Sequence, residues 1–285
     1  MTTVSGGMER SVLITGCSSG IGRATADAFL AEEWNVVATA RNLTDIADLG
    51  ECGCQIEALD VTDDEAIERV VEAALDEQGR LDCLVNNAGY AQIGPIEDVP
   101  PAHWRRQFAV NLDGPQQLIR RVLPEMRRRG DGTVVNVSSV LGRISLPGSG
   151  AYAASKFALE GMSDALRAEV NPFGVNVVVI EVGPVETDFK QRAGREVDGL
   201  ARTDAYAGLY GMIEDWRALG GGPWSVTPDA VADSIVNAAS ATQPEPRYVV
   251  GGFGKLSVIG RLLPAGITNS LYRSALKITS SRYDE

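Results

Sequence analysis

A tyrosine and a lysine four residues apart are the pair in this sequence whose types and spacing most clearly suggest chemistry. Tyr152 and Lys156 lie in AYAASKFALEG, a stretch rich in Ala, Leu and Phe and free of Pro, which predicts a helix. Residues four apart share one helix face, so the two side chains should stand side by side. A nearby ammonium favours the ionised phenol and lowers its pKa, which would make the pair a general acid/base. A half-buried tyrosine beside an exposed, helix-stabilising lysine is the alternative, because such pairs also occur by chance.

A glycine-rich turn is the second candidate. The segment TGCSSGIG, residues 15–22, follows a predicted strand and precedes the predicted helix RATADAFLAEE. Gly16, Gly20 and Gly22 would let the backbone turn tightly, approach a pyrophosphate and pack a helix against a strand, while the helix N-terminus offers unpaired N–H groups. This placement favours a dinucleotide-binding loop over an ordinary turn.

The elements that must position these residues alternate along the chain. The apolar, β-rich runs are SVLIT (11–15), NVVATA (35–40), QIEAL (55–59), LDCLVN (81–86), GTVVNVS (132–138), GVNVVVIEV (174–182) and RYVVG (247–251). Helical spacing is found in segments 63–78, 101–128, 151–171 and 227–240. Near-continuous apolar strands separated by helices indicate a parallel sheet covered on both faces. We therefore predict an α/β fold, a doubly wound parallel sheet of about seven strands, in one domain spanning residues 1–285.

Three segments fall outside this alternation. Residues 1–9 lack the apolar core of a signal peptide and are predicted to be a flexible extension of a cytoplasmic protein. Residues 186–226 are predicted to form a substrate lid, because ligands of open α/β sheets bind beyond the carboxyl ends of the strands. Residues 251–285 form a C-terminal tail, for which a lid element and a loose end are equally good interpretations.

Composition excludes several classes of function. A net charge of -12 and a pI near 4.7 argue against nucleic-acid binding, and no apolar run reaches the length of a transmembrane helix. Cys17, Cys52, Cys54 and Cys83 lack zinc-site spacing, so no metal is expected. The single histidine, His103, begins a predicted helix and offers no hydrolase triad. The chain has 38 acidic residues and few lysines, and the acidic surface that this predicts suggests a protein that works at high salt.

Four motifs together resemble the short-chain dehydrogenases/reductases. They are TGCSSGIG, NNAG (86–89), NVSS (136–139) and YAASK (152–156), in the order and with the spacing of that family. The resemblance covers about residues 9–190, and residues 152–189 look most like the branch that contains 17β-hydroxysteroid and retinol dehydrogenases. It implies a Rossmann-like fold and hydride transfer between a nicotinamide cofactor and the carbon of a carbonyl or hydroxyl group. It also implies a homodimer or homotetramer assembled through the helices at 101–128 and 151–171.

The resemblance implies four catalytic residues. Tyr152 matches the general acid/base, and Lys156 matches the residue that lowers its pKa and binds the nicotinamide ribose. Ser139 matches the serine that orients the substrate oxygen, with Ser138 as the alternative, since adjacent strand residues face opposite sides. Asn111 matches the asparagine that positions a water in the proton path, and a helix cap is its other interpretation.

The resemblance also implies a cofactor site. Its residues are Gly16, Ser18, Ser19, Gly20, Ile21, Gly22, Arg41, Asp60, Val61, Asn87, Ala88, Gly89, Tyr152, Lys156, Gly183, Pro184, Val185 and Thr187. Ala40 and Arg41 stand at the end of the second strand, where an enzyme that prefers NAD carries an acid, so we predict NADP(H) over NAD(H). Two departures weaken the match: Ser19 replaces the second basic residue of the glycine loop, and Val182 replaces a proline.

The substrate is predicted to be a medium-sized or bulky apolar ketone or secondary alcohol, with steroid-like or retinoid-like molecules as the sharper prediction. By family analogy the pocket would be lined by Tyr90, Ile93, Leu141, Ile144, Leu146, Tyr206, Tyr210, Met212 and Trp216, none of them a partner for a carboxylate or phosphate. Two other functions remain open. One is a cofactor-sensing regulatory protein on the same fold, and the other is a dehalogenase-like lyase, although such proteins usually lose one of the motifs retained here.

Overall fold

The computed structural model describes residues 10–218, 225–252, 264, 266–267, 269–270 and 272–273. Within them a seven-stranded parallel sheet has the order β3-β2-β1-β4-β5-β6-β7. Its strands are β1 (Ser11–Ile14), β2 (Asn35–Ala40), β3 (Gln55–Ala58), β4 (Cys83–Asn86), β5 (Gly132–Ser139), β6 (Val175–Val182) and β7 (Arg247–Val250). The predicted doubly wound α/β fold is confirmed.

Helices cover both faces of the sheet, because its central strands are apolar on both sides. The helices are α1 (Gly20–Ala31), α2 (Ala47–Glu51), α3 (Asp64–Gln78), α4 (Pro101–Phe108), α5 (Gly114–Arg129), α6 (Gly150–Val170), α7 (Phe189–Asp198), α8 (Ala207–Ala218) and α9 (Pro228–Ser240). One core packs α1 and α9 against residues such as Val12 and Val135. The other packs α3, α5 and α6 against residues such as Leu84 and Val134. None of the helices in the described part of the chain is long and apolar enough to cross a membrane.

The strand order places a crevice beside the first strand. The chain runs from β1 outward to β2 and β3, then returns to β4 on the other side of β1. The loops that leave the carboxyl ends of β1 and β4 therefore diverge to opposite faces of the sheet. The crevice between these loops is where open α/β sheets bind ligands. The glycine-rich segment 15–22 follows β1, and the NNAG motif ends β4 and continues beyond it.

The helix predicted over 101–128 is interrupted. A π-helical segment, Ala109–Asp113, separates α4 from α5. Pro115 lies in the first turn of α5 and has no N–H, so the carbonyl of Asn111 cannot accept the bond that an α-helix would give it from residue 115. Pro115 therefore removes one regular helical bond where the π-helical segment lies, and π-helical turns are frequent at functional sites.

Candidate active site

The glycine loop has the conformation that its glycines predict. Gly16 and Gly20 have φ angles of +77° and +58°, a region that side-chain-bearing residues rarely adopt. A Cβ atom on Gly22 would lie 2.3 Å from the Gly16 carbonyl oxygen, so the loop and the first turn of α1 can approach this closely only without a side chain. The Cys17 amide donates to the Thr39 carbonyl at 2.8 Å, which fixes the loop beside the end of β2.

The NNAG motif clamps this loop from the β4 side. The amides of Asn87 and Ala88 both donate to the Thr15 hydroxyl at 3.0 Å. The Asn87 side chain donates to the carbonyls of Thr15 and Gly16 at 2.8 and 3.2 Å. Asn87 and Ala88, predicted to bind the cofactor, therefore hold the loop in shape, and Thr15 is a residue that sequence analysis missed.

The resulting cradle fits a dinucleotide. The loop ends at Ser19, the N-cap residue of α1, whose side chain makes no capping bond, so the first N–H groups of that helix receive no cap from it. Unpaired N–H groups at the positive end of a helix favour an anion, and the glycines keep side chains out of its way. Ser18, Gly20 and Ile21 of the same loop are all partly accessible.

Other predicted cofactor residues lie along the carboxyl edge of the sheet. Arg41 follows β2 directly and is exposed. Asp60 is exposed after β3, where its Oδ1 accepts from the amide and hydroxyl of Thr62 at 3.0 and 2.8 Å. Val61 is buried against Gly114, and Gly89 lies beside Asn111, whose Oδ1 would be 3.2 Å from a Cβ there.

The segment after β6 reaches the glycine loop from the opposite side. The Gly183 amide donates to the Val250 carbonyl, and Val185 forms a parallel bridge with Val226. Beyond it, the Thr187 methyl group lies against Gly20, only 2.9 Å from where a Cβ would be. Pro184 accepts a bond from the Val226 amide at 3.0 Å. The unusual Val182 is the buried last residue of β6 and is paired with Ser139.

Tyr152 and Lys156 lie one turn apart on α6, and both are buried. The Lys156 ammonium donates to the Val137 carbonyl of β5 at 2.8 Å and lies 5.9 Å from the centre of the Tyr152 ring. Burial lowers the pKa of Lys156 to about 8, and the charge of Glu160 opposes this fall. The predicted neighbours are thus together, but the ammonium is bonded to the backbone of the adjacent strand.

The pKa of Tyr152 departs from the sequence-based expectation. Burial raises it to about 12, and the Ser139 side chain, which hydrogen-bonds the phenol, opposes this rise only partly. The phenol is therefore protonated in this arrangement of the protein, because desolvation of the phenolate outweighs the hydrogen bond with Ser139. The role of Lys156 in lowering that pKa stays a prediction for the enzyme with cofactor bound.

The two adjacent serines at the end of β5 face different surroundings. Ser139 lies beside Tyr152 and accepts a bond from the Leu141 amide at 3.2 Å. The Ser138 hydroxyl and the Glu160 side chain of α6 both lie against Gly142. Of the two, Ser139 is therefore the one beside the phenol.

Asn111 is held inside a buried polar network. Its side chain accepts from the Tyr90 amide at 3.1 Å and donates to the Tyr90 carbonyl at 3.0 Å and the Ser155 hydroxyl at 3.2 Å. Gln107, one turn earlier, donates to the same Tyr90 carbonyl at 2.9 Å. Ser155 in turn donates to the Tyr152 carbonyl at 2.7 Å. Asn111 is therefore no helix cap but a link between the π-helical segment, the loop after β4 and α6.

An apolar cluster covers the tyrosine. Phe189 of α7 lies 5.9 Å from the Tyr152 ring, centre to centre. The cluster contains Ala91, Ile93, Tyr152, Ala193, Val197, Tyr210 and Ile213, with Leu141, Phe189, Tyr206 and Leu209 packed against it. The predicted lid thus contributes two helices to the wall around the candidate catalytic side chain.

Four of the predicted lining residues are absent from this cluster. The Tyr90 hydroxyl donates to the His103 carbonyl at 3.2 Å, Leu146 is 38% exposed, and Ile144 and Met212 are only partly buried. The Tyr90 hydroxyl is therefore directed toward α4, and the place of Ile144, Leu146 and Met212 in the substrate pocket stays a prediction. The side chain of Trp216 lies outside the described residues.

Some site residues carried little or no sequence signal. Gln107 lies four residues before Asn111, so helical spacing could have suggested it, and Ser155 stands inside the YAASK motif. Phe189 and Arg192, by contrast, reach the site only through the packing of α7. All four cysteines are free, and within the described ranges no group of three or more His, Cys, Asp or Glu side chains is arranged to hold a metal ion.

Comparisons with known proteins agree with this geometry. The sequence model of a family described as short chain dehydrogenase matches residues 10–198. The chain is 34% identical over 267 residues to the uncharacterized oxidoreductase YbbO of Escherichia coli K12, covering 93% of this chain and 94% of that protein. It is 35% identical over 262 residues to human 17-beta-hydroxysteroid dehydrogenase type 1, covering 83% of this chain and 76% of that protein.

Solved structures are similar as well. A short-chain dehydrogenase from Streptomyces avermitilis superposes with a TM-score of 0.78 at 34% identity, covering 96% of this chain and 98% of the other. A metagenomic short-chain oxidoreductase in complex with NADP superposes with a TM-score of 0.65 at 28% identity, covering 85% and 96%. A 3-ketoacyl-(acyl-carrier-protein) reductase from Brucella melitensis complexed with NADH superposes with a TM-score of 0.73 at 26% identity, covering 86% and 98%. The chain belongs to the short-chain dehydrogenase/reductase family and is an oxidoreductase that uses a nicotinamide cofactor.

Proposed function

We propose that this enzyme transfers a hydride reversibly between NADP(H) and an apolar ketone or secondary alcohol. The observation that carries the proposal is the position of Tyr152. Its phenol is buried beside Ser139 and Lys156, at the sheet edge that bears the dinucleotide cradle, and under an apolar wall.

Each polar residue has a role that follows from the reaction. When bound, the nicotinamide cofactor supplies or accepts the hydride. Hydride addition to a carbonyl develops negative charge on the oxygen, which the Ser139 hydroxyl stabilises by a hydrogen bond. Tyr152 donates the proton to that oxygen, or removes it in the alcohol direction. Lys156 binds the ribose of the cofactor and stabilises the phenolate, and Asn111 continues the proton path through a positioned water.

The apolar cluster supports the substrate class. Its members offer buried apolar area to a hydrophobic molecule. The identity with human 17-beta-hydroxysteroid dehydrogenase type 1 supports a bulky apolar alcohol or ketone, such as a steroid. Residues 186–218 and 225–226, the described parts of the predicted lid, cover this substrate. The oligomeric state, the cytoplasmic location and activity at high salt stay predictions.

Replacing Tyr152 by phenylalanine tests the mechanism. The variant loses one ionisable hydroxyl and keeps the ring that packs against Phe189, so turnover should fall by about 100-fold or more while NADPH affinity stays within about twofold of wild type. Turnover is measured by the oxidation of NADPH in the presence of a panel of apolar ketones, and NADPH affinity is measured by a fluorescence titration. Wild-type turnover in the variant would disprove the assigned role of Tyr152, and no turnover in the wild type with any carbonyl substrate would favour a regulatory protein.

Arg41 is the proposed selector for NADP(H). Its exposed guanidinium at the end of β2 can form charge-assisted hydrogen bonds with a 2′-phosphate. Arg41→Asp should shift the ratio of kcat/KM for NADPH to that for NADH toward NADH by about 100-fold, since it exchanges an attractive charge for a repulsive one. An unchanged ratio in steady-state kinetics would show that selection lies elsewhere.

A further inference from the structure

An arginine of helix α7 lies against the glycine loop. The Arg192 guanidinium donates to the Ser19 hydroxyl at 3.0 Å, across 173 positions of sequence. Ser19 is the N-cap residue of α1, and its hydroxyl makes no capping bond within that helix. The contact therefore brings a full positive charge to the mouth of the dinucleotide cradle.

The end of α1 by itself disfavours a cation, while Asp27, Glu186, Asp188 and Asp229 line the adjacent cavity and offset part of that effect. The N-terminus of a helix carries about half a positive charge, so it repels a guanidinium and attracts a phosphate. Among the residues that the structure describes, Arg192 has a hydroxyl as its side-chain partner and forms no ion pair. A guanidinium also presents several N–H donors in a fork that suits phosphate oxygens.

We propose that Arg192 binds a phosphate group of the nicotinamide dinucleotide. It supplies, from the helix that covers the site, the positive charge that the glycine loop lacks because Ser19 occupies the second basic position. The proposal deepens the proposed function and rests on it, since it concerns the same cofactor.

The same helix would link cofactor binding to closure over the catalytic tyrosine. Arg192 points to the glycine loop, while Phe189, Ala193 and Val197 of α7 pack around Tyr152. An α-helix of ten residues moves as a unit, so a phosphate that holds Arg192 also holds this apolar face in place. Cofactor binding should therefore stabilise the closed arrangement of α7.

Arg192→Ala tests the binding role, with Arg195→Ala as the matched control. Arg195 lies one turn further along α7, is exposed, and carries the same charge, so its loss reproduces the change in net charge without the contact to Ser19. Dissociation constants for NADPH and NADH are measured by fluorescence titration with the purified full-length protein. We expect Arg192→Ala to weaken cofactor binding by about tenfold relative to Arg195→Ala, the size of effect given by a charge-assisted hydrogen bond.

Comparing NADPH with NADH shows which phosphate Arg192 binds, because only NADPH carries a 2′-phosphate and both carry a pyrophosphate. Weakening for NADPH alone would assign Arg192 to the 2′-phosphate, and equal weakening for both would assign it to the pyrophosphate; either result supports the proposal. Affinities of Arg192→Ala equal to those of Arg195→Ala would overturn it while leaving the proposed function intact. Failure of the wild type to bind either cofactor would instead overturn the proposed function and this proposal with it.

Hydrogen exchange provides a readout that does not depend on activity. NADPH should slow the exchange of backbone amides in residues 189–198 in the wild type and in Arg195→Ala, and should slow it much less in Arg192→Ala at matched cofactor occupancy. Equal protection in all three proteins would show that α7 closes independently of Arg192.

Discussion

Burial acts on the two central residues of the site in the same sense, toward the uncharged form. It raises the pKa of Tyr152 to about 12 and lowers that of Lys156 to about 8. The tyrosine therefore holds its proton at neutral pH, as the acid in carbonyl reduction must. Lys156 can give up its proton readily, whereas an arginine at this position would stay charged.

The buried lysine predicts a particular pH dependence of stability. Its pKa is about 8 in the folded protein and 10.5 in its ordinary state, so the unfolded chain binds more protons between these values. The cost of burying the ammonium is fully present below about pH 8 and disappears as pH rises toward 10.5, so wild-type stability should rise across this window.

Comparison of the wild type with Lys156→Met isolates this effect, since methionine fills similar space and does not titrate. The free energy of unfolding is measured by urea denaturation for both proteins at pH 7.5 and 9.5. Between these two pH values it should rise in the wild type by about 1–2 kcal/mol more than in the variant. A difference that stays constant with pH, or falls, would contradict the lowered pKa.

At the scale of elements, the cradle depends on close contact between backbone segments. The first turn of α1 and the glycine loop meet at Gly22, where a Cβ would lie 2.3 Å from the Gly16 carbonyl oxygen and 2.4 Å from the Asn87 side-chain nitrogen. The Asn87 side chain is also the donor that clamps the loop. Any side chain at Gly22 therefore disturbs both the loop and its clamp.

Gly22→Ala should consequently lower stability by about 1–3 kcal/mol and weaken NADPH binding. Gly161→Ala is the control, because this glycine lies inside α6 with no neighbouring atom within 4 Å of a Cβ, and alanine there should stabilise by about 0.5–1 kcal/mol. Thermal unfolding and cofactor titration measure both effects. Tight cofactor binding by a stable Gly22→Ala protein would mean that the loop does not form the phosphate site.

The π-helical segment is an element whose irregularity connects to the site. It places Asn111 where its side chain bonds both the loop after β4 and Ser155 of α6. A regular helix would need an N–H at residue 115, which proline does not have. The interruption thus joins three elements around Tyr152 that the sequence leaves far apart.

At the scale of the whole molecule, α5 and α6 leave an open groove of about 270 Å³ on the surface. Apolar and charged residues line it: Gln116, Ile119, Arg120, Leu123, Met162, Ala165, Leu166 and Glu169. The groove lies on the helices through which the family resemblance predicts assembly, and a twofold interface would cover it with its own copy.

Ala165→Glu tests this assembly. The new carboxylate would be placed in the groove and buried without a partner in a dimer, so the variant should shift toward the monomer mass in light scattering at micromolar concentration. Ala168→Glu adds the same charge to an exposed position of α6 that does not line the groove and should keep the wild-type mass. A monomeric wild type, or equal masses for all three proteins, would count against an interface on these helices.

The sequence by itself determined the fold class and the order of its elements. Apolar runs of strand length separated by helical segments specify a parallel sheet, because only a sheet covered on both faces buries them. The glycine trio and the Tyr152–Lys156 spacing were equally readable, since backbone conformation and helix periodicity act over a few residues. These are local properties, and the structure agrees with them.

Tertiary structure decided how the site is held and what covers it. Thr15, Gln107 and Ser155 have bonding partners distant in the chain, and Arg192 meets Ser19 across 173 positions. The pKa of Tyr152 is raised because burial by α7 and its neighbours outweighs the hydrogen bond with Ser139. Desolvation depends on every atom packed around a group, and that packing is a property of the folded chain as a whole.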